Sequence, residues 1–146
     1  METVKTRQYL SFYLGTEIYG IQLEGCKEVD HNKRILKVPH APSYIEGIVN
    51  LRGDLVTILN LSSLFGKPQT ISNQKYSLIR LKGKKETFAI LSDSVSDIIE
   101  VSDNALEACP SHLSEKESRF IRCVSVLENG TLIILNQEEL LRLEDE

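Results

Sequence analysis

The chain has 146 residues, of which 26% are charged and 41% hydrophobic, with a net charge of -4 and a pI near 5.5. That balance speaks against a dedicated nucleic-acid binder, which concentrates basic charge on one face. No stretch approaches the roughly 18 apolar residues of a membrane-spanning helix, and Met1 to Lys5 lacks the apolar core of a secretory signal.

In chain order, residues 9–14 alternate, with Leu10, Phe12 and Leu14 on one side and Tyr9, Ser11 and Tyr13 on the other. This predicts a strand with one buried face. Gly15-Thr16-Glu17 predicts a turn into a second strand over 18–23. Residues 24–29 fit either a helical turn or an irregular strand. Pro39 and Pro42 frame an extended connector. Residues 47–51 and 55–59 read as strands around Arg52-Gly53-Asp54, apolar enough to suggest burial on both faces. Residues 60–65 predict a short helix, capped by Asn60 or Ser62 and stopped by Gly66. Residues 67–73 are the most linker-like.

Beyond them, 76–81 and 87–91 predict a hairpin across Lys82-Gly83-Lys84-Lys85, a solvated basic tip. Residues 95–101 carry apolar residues at Val95, Ile98, Ile99 and Val101, and 104–117 predict a polar loop holding Pro110. Residues 120–127 and 131–135 form a hairpin about Asn129-Gly130, a strong turn signal. Residues 138–143 close the chain as a short helix. About ten short strands at even spacing indicate small barrels or sandwiches.

The chain also repeats itself. Tyr44 to Phe65 is echoed from Phe120 to Leu141 at an offset of 76 residues, and Tyr19-Gly20-Ile21 by Phe88-Ala89-Ile90 at an offset of 69. Two copies in the same order imply one β-rich unit built twice. The three cysteines, Cys26, Cys109 and Cys123, are odd in number and widely spaced, and read as reduced thiols. Cys26 and Cys123 fall at apolar positions of the repeat, as small core residues would.

Groups able to do chemistry are scattered. His31, His40 and His112 have no metal-ligand spacing, and Cys109 and His112, though close, lack an orienting third group. No glycine-rich phosphate loop is present. The expectation is no enzyme, no cofactor and no metal site. Arg52 stands out, embedded in the most apolar run of the chain. Either the turn exposes it to water, or its planar fork engages a carboxylate, for which Glu28 is the candidate.

The residues Tyr19-Gly20-Ile21, Lys27-Glu28-Val29, Pro39-His40-Ala41-Pro42, Gly47-Ile48-Val49-Asn50-Leu51-Arg52-Gly53, Asp93 to Ile99 and Phe120 to Val124 together resemble the CheW family of chemotaxis coupling proteins. The resemblance covers roughly residues 8–142. It implies a mainly β fold of two five-stranded, SH3-like barrels packed around a shared core, with short helices. Contiguous barrels over 15–70 and 71–142 are expected, and the family pattern allows strand 8–14 to cross to the second. It further implies a non-catalytic, cytoplasmic adaptor recruited to membrane-associated receptor arrays. Its partners would be the regulatory domain of the histidine kinase CheA and the cytoplasmic tip of methyl-accepting chemoreceptors. A related reading is a regulatory module of another two-component system; a single-stranded nucleic-acid binder is a third, which the acidic composition disfavours.

Position by position, the resemblance assigns kinase coupling to Glu28, Leu51, Arg52 and Gly53. It assigns a receptor groove to Cys26, Val95 and Ile98, although Val95 and Ile98 also read as core positions. The chain departs from the family pattern at Thr57, where proline is common, and at Asn60 and Asn136, where aspartate is common. Ala89 and Cys123 stand in place of frequent glycines.

Overall fold

A computed structural model describes residues 5–68, 75–83, 87–109 and 113–145. The expected linker from 69 onward, Lys84 and Lys85 of the basic hairpin tip, Pro110 and His112 lie outside these residues. Ten strands form two five-stranded sheets, as the sequence pattern implies. They are β1 (Thr6–Leu14), β2 (Glu17–Gln22), β3 (Cys26–His31), β4 (Ile45–Leu51), β5 (Asp54–Leu59), β6 (Ser77–Leu81), β7 (Thr87–Ser92), β8 (Ser94–Ser102), β9 (Ile121–Leu127) and β10 (Gly130–Leu135). One sheet has the order β8-β1-β2-β10-β9, the other β3-β6-β7-β5-β4.

The chain divides into two compact units, but not at residue 70. One unit comprises residues 1–25 and 95–146, the other residues 26–94. This differs from the contiguous 15–70 and 71–142 barrels expected from the repeat. Adding the repeat offsets to one sheet order reproduces the other: β1, β2, β3, β4 and β5 correspond to β6, β7, β8, β9 and β10. Each unit therefore combines a hairpin from one copy with three strands from the other. The exchange is sealed by two parallel pairings in matching register, Gly20 opposite Ile134 and Ala89 opposite Ile58. Local turn signals specify the four antiparallel hairpins, whereas a parallel partner distant in sequence leaves no local mark.

The copies agree in detail. The Asn60 N–H donates to Tyr44 O and the Asn136 N–H to Phe120 O, both at 2.7 Å. Each asparagine side chain then caps the helix that follows, α1 (Leu61–Leu64) and α3 (Gln137–Leu141), accepting from the backbone of Ser63 and Glu139. Such a cap is worth about 1 kcal/mol. Ser62 is buried inside α1 and plays no capping role. The expected polar loop 104–117 contains a further helix, α2 (Glu115–Phe120), opened by Ser114 accepting from the Glu117 N–H. Ser114 followed by Glu117 is a capping-box spacing that marks this start in the sequence.

Burial corrects two expectations. Strand β1, lying between β8 and β2, is covered on both faces, so Tyr9 and Ser11 are as buried as Leu10 and Phe12. In the first unit Tyr9, Ile18, Val101, Leu132 and Ile134 form a buried cluster. Conversely, β4 and β5 are not covered on both faces near their turn: Val49, Leu51 and Val56 are buried while Asn50 and Leu55 are exposed. Of residues 24–29, which the pattern leaves open between a helical turn and an irregular strand, Glu24 and Gly25 lie in a 3-10 turn (Leu23–Gly25) and the rest in strand β3, with a bulge between Cys26 and Glu28.

Gly47 shows why the glycine-led motif starts where it does. Its φ is +156°, and a Cβ there would lie 2.3 Å from Leu36 O. Leu36 and Ile48 exchange backbone hydrogen bonds of 2.9 and 2.8 Å, tying the connector to β4. We expect Gly47→Ala to separate connector from strand and to lower stability by about 2 kcal/mol, readable as a lower urea midpoint.

Candidate functional site

The second unit carries a charged cluster at the β4–β5 turn. Leu51 and Asp54 are paired across a two-residue loop of Arg52 and Gly53. Both loop residues have positive φ, 54° and 90°, the pattern of a type I′ hairpin turn. A Cβ on Gly53 would meet no atom within 4 Å, so glycine serves the backbone conformation here and not close packing. The Gly53 N–H donates to Asn50 Oδ1 at 2.9 Å, closing the turn from beneath.

Arg52 sits at the tip with its side chain 74% exposed, and its Nη1 donates to Glu28 Oε2. The two sequence readings of Arg52, exposed or paired with Glu28, are therefore both realised. Magnitudes indicate what the residue is for. A non-glycine residue in the left-handed region costs about 1–2 kcal/mol, while an exposed ion pair returns about 0.2–1 kcal/mol. Stability alone does not account for an arginine here.

Sequence reading missed the centre of the cluster. Arg80, on β6 opposite Glu28, has a side chain only 3% exposed. Its Nη1 donates to Glu28 Oε1 at 3.0 Å and its Nη2 to Asp54 Oδ2 at 2.7 Å. The order is thus Asp54, Arg80, Glu28, Arg52, with both oxygens of Glu28 taken by arginines. The Arg80 hydrogen bond, with a smaller contribution from Arg52, holds the Glu28 carboxyl below its ordinary value against the effect of burial. Arg80 does the same to Asp54. The two carboxylates, Asp54 first, push the Arg80 pKa further up. The available signal was an arginine within the apolar run Ser77 to Leu81, the same kind of signal that singled out Arg52.

Of the other site candidates, Leu51 and Cys26 adjoin this cluster, while Val95 and Ile98 lie on β8 of the first unit. Leu51 is buried beneath the turn. Cys26, at the start of β3, is half-buried, with its thiol 3.8 Å from Glu28 O. On β8 of the first unit Val95 is half-buried, and Ile98 is 52% exposed and so not a core residue. Cys123 is likewise only half-buried. Burial raises the pKa of all three thiols, and the Cys109 thiol is engaged with Ile121 O at 3.3 Å. A protonated thiol is a poor nucleophile. Among the described residues no three His, Cys, Asp or Glu side chains gather as a metal site, and no helix is long and apolar enough to cross a membrane.

Two predictions follow from the cluster's connectivity. Exchanging charges in the double variant E28R/R52E should not restore the stability lost in E28R, because an arginine at 28 faces Arg80; urea unfolding of both variants checks this. The pH dependence has a definite sign. Glu28 and Asp54 titrate lower in the folded chain than in the unfolded one, so their contribution is complete above about pH 4.5 and is lost as pH falls through the folded pKa values. E28Q should be less stable than wild type at pH 7, and the gap should narrow below pH 4 in urea titrations.

The family model for the CheW-like domain matches residues 8–145. The chemotaxis protein CheW of Rhizobium meliloti (strain 1021) is 30% identical over 129 residues, covering 88% of this chain and 83% of that protein. That of Treponema pallidum (strain Nichols) is 30% identical over 139 residues, covering 91% and 81%. Among solved structures, the scaffolding protein TtCheW from Thermoanaerobacter tengcongensis superposes with a TM-score of 0.79 at 25% identity, over 90% of both chains. With the family match spanning nearly its full length, this chain belongs to the CheW-like domain family.

Proposed function

We propose that the protein is a non-catalytic adaptor that couples methyl-accepting chemoreceptors to the histidine kinase CheA in the cytoplasm. The carrying observation is the β4–β5 hairpin tip. There a left-handed Arg52, anchored by Glu28, shares the hairpin with Leu55, an apolar side chain left 67% exposed on β5 opposite Asn50. An exposed guanidinium and an exposed leucine on one hairpin suit a protein partner presenting a carboxylate and an apolar surface. On this reading the regulatory domain of CheA is the partner of this tip, with Glu28, Leu51, Arg52 and Gly53 as its elements, and family membership supports it. Leu51 and Gly53 act by shaping the turn, Glu28 and Arg52 by presenting charge.

The receptor reading rests on the same membership. Ile98, exposed on β8, and its half-buried neighbour Val95 supply apolar surface to a receptor helix, a helix-on-apolar-surface mode of recognition. Cys26 keeps the receptor-contact role that the family resemblance gives it.

A pull-down from native cytosol tests the proposal. Wild type should recover both a histidine kinase and chemoreceptors, and Arg52→Glu should lose the kinase. Recovery of neither by wild type would overturn the adaptor reading, and undiminished kinase recovery by Arg52→Glu would remove the hairpin from it.

A further inference from the structure

Arg80 is not required by the fold. The repeat provides an internal control, because Ser11 occupies the corresponding place in the first unit: Ser11 lies opposite Gly20 in β2, and Arg80 opposite Ala89 in β7. Ser11 is 1% exposed and its hydroxyl donates to Asp97 O at 2.6 Å. Asp97 itself corresponds to Glu28, and Glu128 and Gly130 correspond to Arg52 and Asp54. The same strand position in the same sheet order is therefore filled by a small hydroxyl in one unit and by a guanidinium in the other. The four-charge cluster belongs to the second unit alone.

Nor does stability explain the arginine. Its Nε is buried without a hydrogen-bond partner, and an unsatisfied buried donor is destabilising. A buried ion pair is often matched or bettered by apolar residues of similar volume. What Arg80 does provide is geometry. It grips Glu28 by one oxygen from within the sheet and leaves the other oxygen turned toward Arg52. On its opposite side it grips Asp54, the residue that ends the hairpin turn. One rigid fork thus ties Asp54, at the end of the loop that presents Arg52, to Glu28 on β3.

We infer that Arg80 is the positioning residue of the partner-facing hairpin, setting through Glu28 where the exposed Arg52 guanidinium points. Its consequence for kinase binding rests on the adaptor reading above. Arg80 makes no contact with the partner in this arrangement; it acts by denying Glu28 and Arg52 other rotamers. Arginine at position 80 and a carboxylate at position 28 form a single functional element. Lysine is not an equivalent, because one ammonium lacks the planar fork that reaches Glu28 and Asp54 together.

The test is a double-mutant cycle with a readout that does not depend on any partner. Arg80→Met, Arg52→Ala and the double variant are measured for affinity to the purified CheA regulatory domain, with folding of each checked by urea unfolding. Each single change should weaken binding roughly tenfold, and the double should be no weaker than Arg52→Ala within about twofold, since both remove one interaction. In parallel, NMR reads the rate of rotation of the Arg52 guanidinium about its Nε–Cζ bond, which should rise several-fold in Arg80→Met. Additive losses in the double variant, or an unchanged Arg52 rotation rate, overturn the inference. Should Arg52→Ala bind like wild type, the kinase role of the hairpin falls, and the rotation rate alone decides the role of Arg80. If Arg80→Met does not fold, Arg80→Lys takes its place, with the same two outcomes expected.

Discussion

Two parallel strand pairings hold the architecture together. Strand β2 lies beside β10 and β7 beside β5, at the same relative register. Every other pairing between named strands with an assigned register is antiparallel. Without these two, neither sheet would join its two hairpins, and a lone hairpin is too small to stay folded. With them, each sheet reaches four strands, and the edge pairings β8–β1 and β3–β6 bring it to five. The β3–β6 pairing sets Glu28 opposite Arg80, 52 positions later in the chain.

The charged cluster shows how one sequence motif draws its meaning from another segment. The asparagine-leucine-arginine-glycine run builds a tight turn by local means: two positive φ values and the Asn50 side chain beneath Gly53. Nothing local decides where the Arg52 side chain goes, because the tip is open to solvent. That decision comes from β3, and behind β3 from Arg80 on β6. The turn supplies position, and the ion network supplies direction.

Legibility in the sequence followed the range of the physics involved. Hairpins, caps and stops are local, so Asn129-Gly130, Asn60 and Gly66 announced the elements they build. The duplication announced that two sheets exist. Which strands share a sheet was not legible, because the apolar alternation of β2 suits either partner equally well. The start of helix α2 is marked by the capping-box spacing of Ser114 and Glu117, but the polar stretch before it offers no apolar periodicity to signal a helix. Arg52 was noticed as a charge in an apolar run, and Glu28 was the right partner for it. The role of Arg80 is not legible, because a strand known only by pattern gives no sign of which face carries carboxylates.

The exchanged hairpin also orders events during synthesis. Residues 26–94 contain every strand of one sheet, so that unit has all its pairing partners once Ser94 has left the ribosome. The other unit opens with β1 and β2, whose parallel partner β10 is translated on the order of 100 residues later. The first hairpin to emerge is thus the last to find its place, and it must stay free of competing strand edges in the meantime. A nascent chain halted once Ser94 has cleared the ribosome would display one finished sheet beside an unclaimed N-terminal ribbon.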